Sequence, residues 1–140
     1  MNSIFNTYEA FIFDLDGVIW LGSVPIPGAV ETIEMLQKNS KKIRFLTNNA
    51  CDHREKQYQK LLSFGIEASF EQIMTAGSLT AKYILKNFGK TDVHVMGSKD
   101  LEREMTDVGH SVVSRNAKIV VTGLNKDFNW DTLNLSLIHI

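Results

Sequence analysis

The sequence is short of the residues that staple a fold or span a membrane. Its 140 residues include one cysteine, Cys51, and two prolines, Pro25 and Pro27. A lone cysteine cannot close an internal disulfide, which excludes a disulfide-built scaffold and suits a reducing compartment. No apolar run approaches the ~20 residues a membrane helix needs, or the ~7–15 of a secretory signal core. Residues 1–10 hold no basic cluster, and the run Phe11-Ile12-Phe13 stops at Asp14. Charge of one sign is lacking too: 15 Lys+Arg face 16 Asp+Glu, a formal net charge of -1. Nucleic acid and anionic membrane surfaces both favour a basic excess, so neither is an expected partner. The expectation is a cytoplasmic protein.

With 44% hydrophobic and 22% charged residues the composition is that of a globular chain, and a chain of this length can bury roughly 68% of its unfolded surface without a staple. Residues 10–14 (AFIFD) combine aromatic and β-branched types in a short run, which predicts a strand buried on both faces. Residues 27–39 repeat apolar side chains near a helical period, and 43–46 (IRFL) read as a second strand. Strand, helix and strand in this order form a βαβ unit with parallel neighbours. Beyond it, helices are predicted over 52–64, with Tyr58, Leu61 and Leu62 inward and Gly65 as the stop, over 77–88, with Leu79, Tyr83, Ile84 and Phe88 on the core face, and over 98–108, capped by Ser98. A loop or short strand is predicted at 69–73, strands at 93–96, 111–113 and 119–122, and a last helical stretch from Trp130. The fold class is α/β.

Two polar clusters stand at the predicted ends of the first two strands. In a parallel sheet such ends lie side by side, where open α/β sheets bind their ligands. Asp14 and Asp16, two apart, share one side of an extended chain. Carboxylates this close repel, and a hard divalent cation such as Mg²⁺ is the usual answer, with Asp14 and Asp16 as its ligands. The ordinary alternative is a polar strand end or Asx turn. Thr47, Asn48 and Asn49 offer a hydroxyl, amides and free backbone N–H groups suited to a phosphate oxygen, with Gly17 completing that set. Their ordinary alternative is the N-cap of the next helix. Together the clusters point to phosphoryl transfer: Asp14 as in-line nucleophile, Asp16 as general acid and then base. The expected partner is a small phosphorylated metabolite.

The run Phe13-Asp14-Leu15-Asp16-Gly17-Val18-Ile19-Trp20, followed by Pro27-Gly28-Ala29 and Phe45-Leu46-Thr47-Asn48-Asn49, resembles the haloacid dehalogenase superfamily. Within it, the sequence is similar to the p-nitrophenyl-phosphatase and N-acetylglucosamine-operon phosphatases, relatives of phosphoglycolate and pyridoxal phosphatases. The likeness continues through residues 58–66, Thr75-Ala76-Gly77 and Val95-Met96-Gly97 to Phe128-Asn129-Trp130-Asp131. It implies a Rossmann-like parallel sheet core with an inserted α/β cap: residues 1–88 as the first part of the core, 89–140 as the first part of the cap. It also implies that Asp14 is the nucleophile, Asp16 the acid/base and a backbone ligand of Mg²⁺, Thr47 a phosphoryl ligand, and 18–25 a flexible flap. Dimers through the cap of the full-length protein are a further implication.

The same resemblance implies a downstream lysine and an acidic pair that no stretch of this sequence matches; Asp127 and Asp131 fall in the cap's first part. The chain alone is therefore expected to be poorly active or inactive, its first strand an open edge, and its last residues, 135–140, foreign to the family. A receiver-type phospho-acceptor module would place its aspartate after a later strand, and none follows IRFL. A catalytically dead phosphate-binding protein is the other alternative. Cys51 reads as a passive small residue, and the four histidines are too dispersed for a zinc site. His94 reads as a strand-face residue and Met96, Met105 and Trp130 as core. Trp20 suits either a substrate entrance or packing under the flap.

Overall fold

The apolar run that begins at Ala10 is a strand, although only a half-buried one. The computed structural model describes residues 4–124 and 129–137, and the contacts divide the chain into two compact units, Met1–Thr47 with Glu55–Met74, and Asn48–Arg54 with Thr75–Ile140. Asp127, Phe128, His139 and the rest of 138–140 lie outside the described residues. Among those described, no helix is long and apolar enough to cross a membrane.

The first unit runs α1 (Ile4–Thr7), β1 (Ala10–Phe13), a hairpin of β2 (Trp20–Leu21) and β3 (Val24–Pro25), α2 (Ala29–Lys38), β4 (Lys42–Thr47), α3 (Arg54–Ser63), a 3₁₀ turn (Phe70–Gln72) and β5 (Ile73–Thr75). β1 and β4 pair in parallel, from Ala10 opposite Lys42 to Phe13 opposite Phe45, and β5 adds on the far side of β4 in the order β1-β4-β5. This is the βαβ unit that the sequence predicts. Helix α2 starts two residues after Pro27, behind Gly28, whose φ of 86° is a left-handed conformation that costs glycine nothing.

Both helices that follow strands supply side chains to one covered face of the sheet. Ile33 and Leu36 of α2 and Leu61 of α3 join Leu15, Ile19, Trp20, Ile43, Phe45, Ile66 and Ile73 in a single core cluster. β4 therefore alternates strictly: Ile43, Phe45 and Thr47 are buried while Lys42, Arg44 and Leu46 are exposed. In register with it, β1 turns Ile12 outward at 67% exposure. Burial on both faces, expected from the apolar run, does not occur, because among the described residues β1 is an edge strand and nothing covers its outer face. Leu62, expected inward, is also exposed, while Leu61 beside it is fully buried.

The second unit runs α4 (Ala76–Phe88), β6 (Asp92–Met96), α5 (Lys99–Asp107), β7 (Ser111–Val112), β8 (Ile119–Thr122) and α6 (Trp130–Leu137). β6 is central, parallel to β7 and β8. Its core holds Ala81, Ile84, Val93, Val95, Leu101, Met105 and Val121. Thr75 caps α4 with its hydroxyl on the Ser78 N–H, and Ser98 caps α5 on the Leu101 N–H. The buried face of α4 is Gly77, Ser78, Ala81 and Ile84. Leu79, Tyr83 and Phe88, expected on that face, point outward at 39%, 64% and 63% exposure. Small residues are inward because α5 packs close: a Cβ on Gly77 would stand 3.0 Å from Leu101. Met105 is buried as expected, but Trp130 is 74% exposed and is not a core residue.

Candidate active site

The turn after β1 is built around Leu15. Its side chain is fully buried, whereas Asp14 and Asp16 on either side are exposed, so extended alternation sends both carboxylates away from the core on one side. The Leu15 carbonyl accepts from the N–H groups of Ile19 (2.9 Å) and Trp20 (3.2 Å), and the Gly17 N–H donates back to the Trp20 carbonyl at 2.7 Å. Gly17 holds φ at 84°, in the left-handed region that a side chain would strain. The turn is thereby closed on itself and presents the two aspartates from a fixed backbone.

Each carboxylate is held by one oxygen. The Leu15 N–H donates to Asp14 Oδ1 at 2.8 Å, and the Trp20 indole N–H donates to Asp16 Oδ1 at 2.7 Å. Trp20 is itself fully buried, 5.8 Å from the Phe64 ring, with Lys60 Nζ 4.2 Å above its indole. Of the two roles the sequence left open for Trp20, packing under the hairpin is the one observed, with the added duty of orienting Asp16. The second oxygen of each aspartate has no protein partner among the described residues. Two exposed, hard carboxylate oxygens from positions two apart match the donor chemistry of Mg²⁺.

Thr47 ends β4, buried at 2% exposure on the face of Ile43 and Phe45. Since Phe13 stands opposite Phe45, continuing the register brings Asp14 and Leu15 level with Leu46 and Thr47. The structure thus sets Asp14, Asp16, Gly17 and Thr47 at the carboxyl ends of two adjacent parallel strands. The pleat turns Thr47 toward the covered face and Asp14 toward the open side.

Asn48 and Asn49 pack with the second unit. The Asn49 side-chain Oδ1 accepts from the backbone N–H groups of Cys51 (2.8 Å) and Asp52 (3.0 Å), and its Nδ2 donates to Asp52 Oδ2 at 3.0 Å. The Asn49 side chain shapes its own loop, and Cys51 Sγ lies 3.4 Å from the Leu124 carbonyl. His94, at 7% exposure, rests Nδ1 3.0 Å from the Val113 carbonyl, as a strand-face residue should.

Sequence reading missed one cluster in the second unit. His53 Nε2 lies 2.8 Å from Asp107 Oδ2 and 3.8 Å from Glu104 Oε1, and Arg54 Nε lies 3.4 Å from Glu104 Oε2. These residues are 50 to 54 positions apart in the chain, and no local spacing could have announced them.

Comparison with known proteins places this geometry. A sequence profile described as haloacid dehalogenase-like hydrolase matches residues 11–111. A 4-nitrophenylphosphatase of Schizosaccharomyces pombe is 37% identical over 105 residues, covering 73% of this chain and 35% of that protein. A 5'-nucleotidase of Bacillus subtilis is 28% identical over 134 residues, covering 96% of this chain and 52% of its own length. The crystal structure of a 4-nitrophenylphosphatase from Thermotoga maritima superposes with a TM-score of 0.90 at 29% identity, over 96% of this chain and 52% of that one. The chain spans about a third to a half of the relatives it matches. Matched over most of its length and carrying the aspartate turn at the tip of its first parallel strand, this chain belongs to the haloacid dehalogenase-like hydrolase family.

Proposed function

We propose that the chain carries the nucleophile half of a phosphatase site for small phosphate monoesters, with Asp14 as the attacking group. The observation that supports this reading most directly is the closed turn around Leu15, which leaves one oxygen of Asp14 and one of Asp16 without a partner among the described residues. An Asp14 carboxylate oxygen attacks phosphorus in line; the phosphorus–ester oxygen bond breaks, and the departing alkoxide takes a proton from Asp16. Asp16 then removes a proton from water, whose oxygen attacks phosphorus and breaks the aspartyl–phosphate bond, releasing inorganic phosphate and restoring Asp14. Trp20 keeps Asp16 in place for both transfers. Gly17 and Thr47, the latter through its backbone since its side chain is buried at 2% exposure, are the proposed phosphate ligands, with the backbone of Asn48 and Asn49 next along the chain. Mg²⁺, held by Asp14 and Asp16, would supply charge neutralisation of the phosphoryl oxygens.

The lysine and acidic pair implied by the resemblance are matched by no stretch of these residues, so the 140-residue chain by itself is expected to turn over substrate poorly. The relatives' names, 4-nitrophenylphosphatase and 5'-nucleotidase, favour a monoester without fixing which one, and a cap-mediated dimer and the cap boundary near Gly89 belong to the same proposal. The test is p-nitrophenyl phosphate hydrolysis with Mg²⁺ by the full-length protein carrying this chain. Asp14→Asn should lower kcat by about 10⁴-fold or more, as loss of a covalent nucleophile does. Turnover that survives Asp14→Asn would remove Asp14 from the mechanism and with it the proposal.

A further inference from the structure

Asp16 is tied to the protein through the ring of Trp20, and that ring is itself held from another element. Asp16, Trp20, Lys60 and Phe64 all belong to the first unit. Trp20 opens β2 with its backbone already fixed by the turn: its N–H donates to the Leu15 carbonyl at 3.2 Å, and its carbonyl accepts from the Gly17 N–H at 2.7 Å. Its side chain meets α3, whose last turn carries Lys60. Lys60 and Phe64 are four residues apart, the spacing that brings two side chains to one side of a helix end, and both touch the indole. Lys60 Nζ stands over the ring 4.2 Å from its centroid, and the Phe64 ring lies 5.8 Å away, tilted by 53°.

The charges around the indole match its own electrostatics. An aromatic ring is negative on its faces and positive along its edge, so a cation belongs over a face and an anion at the edge. Lys60 takes the face, and the Asp16 carboxylate takes the edge, where the indole N–H donates to Oδ1 at 2.7 Å. The ring between them is fully buried. A buried N–H is costly to leave unpaired, so Trp20 needs this acceptor as much as Asp16 needs a donor. Away from water, linked polar contacts also polarise one another: the ammonium draws electron density from the ring and makes its N–H a stronger donor. The carboxylate is thereby gripped by one oxygen, and its other oxygen, with no partner among the described residues, is left for chemistry. Packing alone accounts for a ring wedged between hairpin and helix, but it does not call for a cation, since an apolar side chain at position 60 would cover the same face.

We propose that Lys60 is a positioning residue for Asp16, acting through the Trp20 indole: its ammonium fixes the ring and strengthens the N–H···carboxylate bond that aims Asp16 at the leaving oxygen and then at water. The inference rests on the phosphatase reading of Asp16 and adds to it a residue of α3, an element that carries none of the proposed catalytic or phosphate-binding groups. Lys60 acts only through the ring and is distinct from the lysine that the resemblance places downstream.

The experiment compares Lys60→Met, which keeps an apolar stem of similar length, with Lys60→Arg, which keeps a cation, in the full-length protein carrying this chain. Two quantities are read: steady-state kinetics with p-nitrophenyl phosphate and Mg²⁺, and the Trp20 indole N–H resonance in a heteronuclear NMR spectrum, assigned by its loss in Trp20→Phe. Lys60→Met should lower kcat about fivefold with KM held within about twofold, the scale of one cation–ring contact. The indole proton should move upfield as its hydrogen bond weakens. Lys60→Arg should bring kcat to within about twofold of the parent and return the resonance toward its original position. In a Trp20→Phe background, where the ring has no N–H to polarise, Lys60→Met should lower kcat by less than about twofold more. Equal kcat for Lys60→Met and Lys60→Arg overturns the inference; so does an unmoved resonance, and so does a full fivefold loss in the Trp20→Phe background. Lys60 is only partly buried; should Lys60→Met nevertheless fail to fold, Lys60→Gln takes its place under the same criteria. An unsubstituted protein with no turnover overturns the phosphatase reading and the role of Lys60 together, whereas normal turnover with kcat indifferent to Lys60→Met overturns the role of Lys60 alone.

Discussion

β1 and β6 are short parallel strands, the first apolar throughout, AFIF, the second carrying an aspartate and a histidine, DVHVM, and they end in opposite situations. β6 lies between β7 and β8 and buries three residues in succession, Val93, His94 and Val95. β1 has one strand neighbour among the described residues and leaves Ile12 mostly in solvent. A histidine is thus inside and an isoleucine outside. His94 tolerates burial because Nδ1 meets a backbone carbonyl; Ile12 is exposed because no layer of the described residues covers that face. Position in the sheet, rather than side-chain hydrophobicity, decided burial. The contrast repeats within β4, where adjacent residues on opposite faces have opposite environments.

The largest effect that can sharpen this comparison comes from β4. Phe45 is fully buried in the first core and Leu46, the next residue, is 37% exposed. Phe45→Ala should cost about 3–5 kcal/mol of unfolding free energy, through lost transfer energy and the cavity left behind. Leu46→Ala should cost about 1 kcal/mol or less. Urea titration followed by Trp20 fluorescence reads the first unit directly, since Trp20 is buried there while Trp130 is already exposed. Similar costs for the two variants would mean that the outer face is covered in solution.

A smaller effect separates packing from positioning at the aspartate turn. Trp20→Phe keeps an aromatic ring beside Phe64 and removes the 2.7 Å bond to Asp16. The stability loss should be about 1–2 kcal/mol, part cavity and part hydrogen bond. If Trp20 orients the acid/base, kcat should fall beyond what the stability change explains, and the pH profile of kcat should change shape while KM moves little. An unchanged pH profile would reduce Trp20 to packing alone.

What the sequence disclosed follows from what pattern can encode. The βαβ unit was legible because Asp14, Gly17 and residues 47–49 punctuate apolar runs of distinct period, and Gly65 and Ser98 marked the end and the start of their helices. The Asp14–Asp16 pair was legible because two positions apart is a local relation. The buried face of α4 was misread because it is built from Gly77, Ser78 and Ala81, which a search for large apolar side chains passes over; their smallness is what lets α5 approach. The His53–Glu104–Asp107 cluster was invisible because its members meet only through tertiary packing. Trp130 shows the converse error, a large apolar residue assigned to a core that it does not enter. In each case the failure lies in long-range contact, where periodicity carries no information.

The smallest expected effect on stability is also the most direct way to break the comparison between β1 and β6. At 67% exposure Ile12 loses little apolar contact when replaced, so Ile12→Lys should change the unfolding free energy by about 0.5 kcal/mol or less. Its effect should appear instead in self-association. Among the described residues β1 offers an unpaired backbone edge beside an exposed β-branched side chain, the combination that recruits further strands, and an edge lysine is the usual defence. Ile12→Lys should therefore shift sedimentation of the 140-residue chain toward monomer and slow its precipitation, while Leu79→Lys, on the exposed face of α4, should leave both unchanged because a helix presents no unpaired backbone. A destabilisation of several kcal/mol by Ile12→Lys would show that β1 is buried as deeply as β6, and that the edge seen here is closed by a neighbour in solution.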